Sequence, residues 1–151
     1  MVAESSKVRR KGSPEEAAFL DLVRTTDMLT RGAIAVLKAE DLSNTQYNVL
    51  RILRGAPQGL PCGAIASRMI TRDPDVTRLL DRMEKRGLIS RARDSRDRRM
   101  VLTRIAPAGL KLVNRLDEPI QKFHRKLLGH MGKERLRALG ELLAAARAKA
   151  E

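Results

Sequence analysis

The chain has 151 residues, 42% of them apolar and only 2% aromatic. That is enough for one domain with helical extensions, with a core of Leu, Val, Ile, Met and Ala rather than aromatic rings. Its 31 basic residues against 18 acidic ones give a formal charge of +13, which points to a polyanionic partner, nucleic acid above all. The single cysteine, Cys62, excludes an intramolecular disulfide framework, and no apolar run approaches the roughly 20 residues of a membrane span.

The first segment, MVAESSKVRRKGS, has no apolar stretch after its charges. It reads as a short disordered basic tail over 1–12 rather than a secretory signal, and a reducing, cytoplasmic, nucleoid-associated setting is the expectation. Ser13-Pro14-Glu15-Glu16 then combines a capping serine, a proline suited to the first helical position and a capping-box glutamate. Phe19, Leu22, Val23, Leu29, Ala33, Val36 and Leu37 recur at helical spacing, so one long amphipathic helix should run to about residue 40, weakened at Gly32. Ser43-Asn44-Thr45-Gln46 is a second capping box, opening a short helix with Tyr47, Val49, Leu50 and Leu53. GAPQGLPCG stops it, and a third helix over 62–69 starts poorly, because neither Pro61 nor Cys62 offers a capping side-chain oxygen.

Asp73-Pro74 predicts the next start, with Asp73 as cap and Pro74 as the first helical residue. The helix carries Val76, Leu79, Leu80 and Met83 inward and ends at Gly87. Two short helices around a tight turn make a helix-turn-helix candidate. Leu88–Arg93 and Met100–Ile105 alternate as strands around the tip RDSRDRRM, which holds four arginines. Pro107-Ala108-Gly109 opens a last helical section in which Leu116, Ile120, Phe123 and Leu127 form a seam, followed by a terminal helix with Leu136, Leu139 and Leu143. These seven residues offer more apolar surface than a small winged domain can cover, so they are the expected homodimer contacts.

Helix-turn-helix, strand, arginine tip, strand is the order of a winged helix-turn-helix. The fold expected is mainly α with a small β-hairpin wing. Residues 68–104 hold 12 basic and 6 acidic side chains, so about half of the surplus charge sits there. Sorted at about 100° per residue, the outer face of the recognition helix carries Asp75, Thr77, Arg78, Arg82 and Lys85. Asp75, Thr77 and Arg78 are the candidates for base edges, and Arg82 and Lys85 for phosphates, with the helix in the major groove of double-stranded DNA. Asp75 either accepts from a cytosine amino group or orients Arg78; the second is preferred. Arg96, Arg98 and Arg99 on the tip would face the minor groove or the phosphates, where a narrow groove concentrates negative potential.

These segments also resemble the MarR family of bacterial transcription regulators over nearly the whole chain. DVTRLLDRMEKRGLI resembles the family's recognition helix, RDSRDRRMVLTRIAPAG its wing and LSNTQYNVLRIL its second helix. The resemblance implies a homodimer with dimerisation segments at 13–41 and 107–151, around a winged DNA-binding domain at 42–106. It implies a pseudo-palindromic operator, repression, and release by a small molecule or an oxidant. Asp97 and Arg99 fall where the family's acid braces an arginine at the minor groove. The chain departs at Ala106, where the family's capping threonine is missing, and at Pro61-Cys62-Gly63-Ala64, where the third helix lacks the family's polar start.

Tyr47 reads first as a packing residue, but the resemblance and the pliable aliphatic interior place a pocket for a small aromatic ligand near it, where the dimer helices meet the winged domain. Cys62 is not at the position of the family's oxidant sensors. His124 and His130 lack a carboxylate or cysteine cluster and read as surface residues, so no metal and no cofactor are expected. No phosphate loop, zinc-protease motif or nucleophile elbow suggests an enzyme. The rival reading is a winged helix serving as a protein-interaction module, which would have no need of an arginine tip.

Overall fold

The computed structural model describes residues 12–150. The tail expected over 1–12 therefore lies, except for Gly12, outside the described residues. In chain order the elements are α1 (Pro14–Lys38), α2 (Asn44–Arg54), α3 (Cys62–Arg68), α4 (Val76–Lys85), β1 (Ile89–Arg93), β2 (Val101–Ile105), α5 (Pro107–Leu128), a 3-10 turn (Gly129–Met131) and α6 (Lys133–Arg147). The protein is mainly helical, with one two-stranded antiparallel hairpin.

Side-chain caps set the starts of α1, α2 and α4, three of the six α-helices. Ser13 accepts from the Glu16 N–H at 3.2 Å, with Pro14 in the first turn. Ser43 and Gln46 form a reciprocal capping box on α2. No side chain caps α3 or α5. The start of α4 corrects the sequence expectation. Asp73 does not cap; its Oδ1 accepts from the Asp75 N–H at 2.8 Å. This Asx turn around Pro74 shifts the helix start to Val76. Asp75 is the cap, accepting from the Arg78 N–H at 3.0 Å.

The core joins α2, α3 and α4 to the start of α5 through Leu50, Leu53, Ile65, Leu80, Met83 and Val113, all 1% exposed or less. Leu116 and Ile120, expected at a dimer surface, belong to this core and are 2% and 6% exposed. The reason is the direction of α5: as far as Ile120 it packs against α2 and α1, so the seam faces inward there. Phe123, Leu127, Leu136, Leu139 and Leu143 stay half-buried. Exposed apolar side chains lie instead on α1, with Phe19 63%, Val23 50% and Met28 58% exposed, on α6, with Leu142 69% exposed, and in the turn before α4, with Ile70 83% exposed.

Two glycines mark close approaches. A Cβ on Gly109 would lie 2.1 Å from the Leu88 carbonyl oxygen, so the start of α5 presses directly on the chain entering β1. That carbonyl also accepts the Ala106 N–H at 3.0 Å. Gly32 does not break α1; it seats the Phe123 ring, whose Cε2 would be 2.6 Å from an added Cβ.

β1 and β2 pair from Ile89 with Ile105 to Arg93 with Val101. The loop after α2 adds a short third rung, because Leu60 and Thr103 exchange backbone hydrogen bonds of 2.9 and 2.8 Å. The glycine- and proline-rich run that ends α2 thus also anchors the base of the wing.

Candidate nucleic-acid interface

α4 and the hairpin project from the same winged domain. On α4, Thr77, Arg78, Arg82 and Lys85 are exposed, while Leu79, Leu80 and Met83 are buried. The amphipathic split follows from the helical period. Asp75 lies at the N-terminus, where its carboxylate is occupied twice: it caps the helix and its Oδ2 sits 3.4 Å from Arg78 Nε. The arrangement is that of an acid orienting an arginine. Arg82 and Lys85 border a cleft of about 550 Å³ with Lys38, Asp41 and Arg86, on the flank toward the end of α1.

The wing tip is held by its own polar groups. Asp94 N–H donates to the Met100 carbonyl at 2.8 Å, and Met100 N–H to the Asp97 carbonyl at 3.0 Å. Asp97 Oδ1 accepts from the backbone N–H of Arg99 at 3.0 Å. The acid therefore braces Arg99 through the main chain rather than through the guanidinium. Arg93 Nη1 donates to the Arg98 carbonyl at 2.8 Å and tightens the turn. The side chains of Arg96, Arg98 and Arg99 are exposed and have no ion pair among the described residues.

Several residues of this region were not found from the sequence. Arg91 on β1 reaches Asp81 and Glu84 on α4. Arg86 donates to the Asp41 carbonyl at 2.6 Å and ties the end of α4 to the end of α1. Arg54 grips Asp117 with Nη1 and Nη2 at 2.8 and 3.0 Å, and donates to Asn114 at 2.9 Å, joining α2 to α5. This guanidinium holds the Asp117 carboxyl below the ordinary aspartate range. A charge in mid-strand at Arg91 was the available signal, but it could not name its partners.

A cavity of about 420 Å³ lies between α1, α2, α5 and the turn before α4. Leu29, Ala33, Ile120, Phe123 and Leu127 line it, with Tyr47, Asn48, Arg51 and His124 among its polar groups. Burial raises the Tyr47 hydroxyl above the ordinary tyrosine range. The Arg51 guanidinium sits 5.9 Å from the Tyr47 ring centroid, a cation–π approach. Asn48 accepts the Ile70 N–H at 2.8 Å, so the cavity wall touches the turn of the helix-turn-helix. Cys62 is partly buried against the core, and His130 is exposed on the 3-10 turn. Among the described residues no three His, Cys, Asp or Glu side chains are placed to share a metal, and no helix is long and apolar enough to cross a membrane.

The sequence pattern of the MarR family matches residues 42–101. The crystal structure of a MarR transcription factor from Planctomyces limnophilus is 37% identical, covering 90% of this chain and 99% of that one with a TM-score of 0.68. The chain belongs to the MarR family. It is a MarR-family transcriptional regulator, and members of this family are not enzymes. A second structure, the transcriptional repressor CouR bound to a 23-mer DNA duplex, is 25% identical over 83% of this chain and 89% of that one, with a TM-score of 0.75. Among curated relatives, the homoprotocatechuate degradative operon repressor of Escherichia coli is 28% identical over 72% of each chain.

Proposed function

We propose that the protein is a homodimeric repressor that binds a pseudo-palindromic operator in double-stranded DNA. Residues 42–106 form the DNA-binding unit, and 13–41 with 107–151 the dimerisation segments. Thr77 and Arg78, oriented by Asp75, read base edges in the major groove, and Arg82 and Lys85 meet phosphates. Arg99 enters the minor groove, held by Asp97, while Arg96 and Arg98 contact the backbone. One observation carries this reading. The outer face of α4 and the wing tip present five cations, Arg82, Lys85, Arg96, Arg98 and Arg99, with no ion pair among the described residues, while the nearby acids Asp75 and Asp97 are turned onto backbone N–H groups. The repressor names of two of its relatives support the direction of control.

Release would come from a small aromatic acid in the cavity beside Tyr47. The volume of about 420 Å³ and the apolar lining suit a ligand of that size, and Arg51 offers a partner for its carboxylate. A full switch requires the ligand to bind the non-binding conformation more tightly by about 5.5 kcal/mol.

The test is fluorescence anisotropy on the protein's own promoter region and on random DNA across a salt series, repeated with millimolar 4-hydroxybenzoate. The expected results are a preference for the promoter, a steep fall of affinity with salt, and release by the acid. Affinity that is independent of salt and sequence would instead favour a protein-interaction module. Unchanged promoter affinity with the acid present would remove this class of ligand.

A further inference from the structure

Arg91 sits at the centre of β1, paired with Thr103 across the hairpin. Its side chain is only 25% exposed, because it turns from the strand onto α4. There Nε donates to Glu84 Oε2 at 2.9 Å and Nη2 to Asp81 Oδ1 at 2.5 Å. Asp81 and Glu84 are three residues apart, so both carboxylates line one flank of the helix. One guanidinium forks across the two, which the single ammonium of a lysine could not reproduce. Among the described residues, no other side-chain hydrogen bond or ion pair joins either strand to α4.

The position of this link matters more than its strength. The Leu60 rung holds the base of the wing from the β2 side, and the tip at 94–100 extends beyond the paired residues. A small rotation at the base therefore moves the tip a long way relative to the outer face of α4. Sequence is read at base edges only from the correct register and orientation, so a fixed spacing between two elements that enter two grooves sharpens discrimination. Arg91 fixes it from the side of α4 that carries Asp81 and Glu84, while Arg82 and Lys85 border the cleft on the flank toward α1.

We propose that Arg91 is a positioning residue that sets the sequence selectivity of DNA binding by locking the wing to the recognition helix. It acts through Asp81 and Glu84. The role rests on the reading of α4 and the wing as the DNA-binding surface. Arg91 also covers two carboxylates that would otherwise stand uncompensated near phosphates. That second effect is electrostatic and acts equally on every sequence, whereas the geometric one acts on the preference for one sequence over another. The two can therefore be measured apart.

The experiment uses the full chain, a duplex selected by the wild-type protein from a random pool, and a scrambled duplex of the same length. Affinities are measured for wild type, Arg91→Met, Arg91→Lys and the triple variant Arg91→Met/Asp81→Asn/Glu84→Gln, each checked by thermal unfolding. Arg91→Met is expected to lose the preference for the selected duplex by about tenfold, the discrimination of a single mismatched position, and to weaken on the scrambled duplex as well. The triple variant should regain scrambled-duplex affinity without regaining the preference. Arg91→Lys should hold the scrambled-duplex affinity and lose part of the preference, and it carries the test should Arg91→Met fail to fold. Wild-type preference in folded Arg91→Met, or in Arg91→Lys, would overturn the proposal. So would restoration of the preference in the triple variant, since charge alone would then be sufficient. A wild-type protein that selects no duplex would remove the DNA-binding reading and this role with it, and would show this before any substitution is compared.

Discussion

An acid on a DNA-facing tip should repel phosphates, so Asp97 needs a physical reason to be there. Its Oδ1 closes an Asx turn on the backbone N–H of Arg99. Asparagine can make the same turn and alanine cannot. Asp97→Ala should therefore weaken operator binding although it removes a negative charge, and Asp97→Asn should keep or improve it; equal losses in the two variants would overturn the turn model. Arg99→Ala should cost roughly 1–3 kcal/mol on the operator, the range of a specific groove contact. Arg96→Ala and Arg98→Ala should weaken operator and random duplexes alike and flatten the salt slope by about one unit each. A second residue-scale case is Ala106, which stands at the N-cap of α5 with an extended backbone, φ −81° and ψ 159°, and no capping side chain. Ala106→Thr should raise stability by about 1 kcal/mol in urea unfolding, because the backbone already has the conformation that a cap requires.

At the scale of elements, two glycines set how closely helices approach, and their surroundings predict different costs. The Cβ of an alanine at 109 would meet the Leu88 carbonyl oxygen at 2.1 Å. That atom is backbone, committed to the Ala106 N–H, and cannot rotate aside. The Cβ at 32 would meet the edge of the Phe123 ring at 2.6 Å, a half-buried side chain beside the cavity with room to turn. Alanine at 32 also gains helix propensity over glycine, by about 1 kcal/mol. Gly109→Ala should thus destabilise by about 1–3 kcal/mol or more, while Gly32→Ala should be far milder and should narrow the cavity. Chemical unfolding of both variants checks the order; a Gly109→Ala protein as stable as Gly32→Ala would contradict this packing account.

For the whole molecule, the apolar residues exposed along α1 and α6 exceed what a protomer leaves bare without a reason. A homodimer should sediment at micromolar concentration, and Phe19→Asp with Leu142→Asp should shift it toward monomer; a wild-type monomer would end this reading. The Arg54–Asp117 pair joins the winged domain to α5 and gives the molecule an acid limit. The folded pKa of Asp117 lies below its ordinary value, so the stabilisation is fully present above the unfolded value and is lost as the pH falls through the lowered one. Unfolding midpoints measured from about pH 6 to about pH 2 should fall on the acid side, and Asp117→Asn should flatten that limb. An unchanged acid limb in Asp117→Asn would assign the loss to other carboxylates.

The architecture was legible because its determinants are local. A capping serine at Ser13, a capping box at Ser43, helical spacing through α1, α2 and α4, and period-two alternation on either side of an arginine-rich tip specify elements within a few residues of themselves, and their order names a winged helix-turn-helix. The Asp73-Pro74-Asp75 start was misread by two residues, because both aspartates can serve the same turn and only the three-dimensional path selects one. What the seam on α5 packs against was not legible either. The spacing of Leu116, Ile120, Phe123 and Leu127 shows that a face is apolar; whether it meets the chain's own core or a partner depends on how α5 crosses the winged domain. The same limit applies to Arg91, Arg54 and Gly109. Sequence determined that these positions held a fork of donors or no side chain at all, but Asp81, Asp117 and the Leu88 carbonyl are partners that only tertiary folding brings within reach, since contacts between separate elements leave no period in the chain.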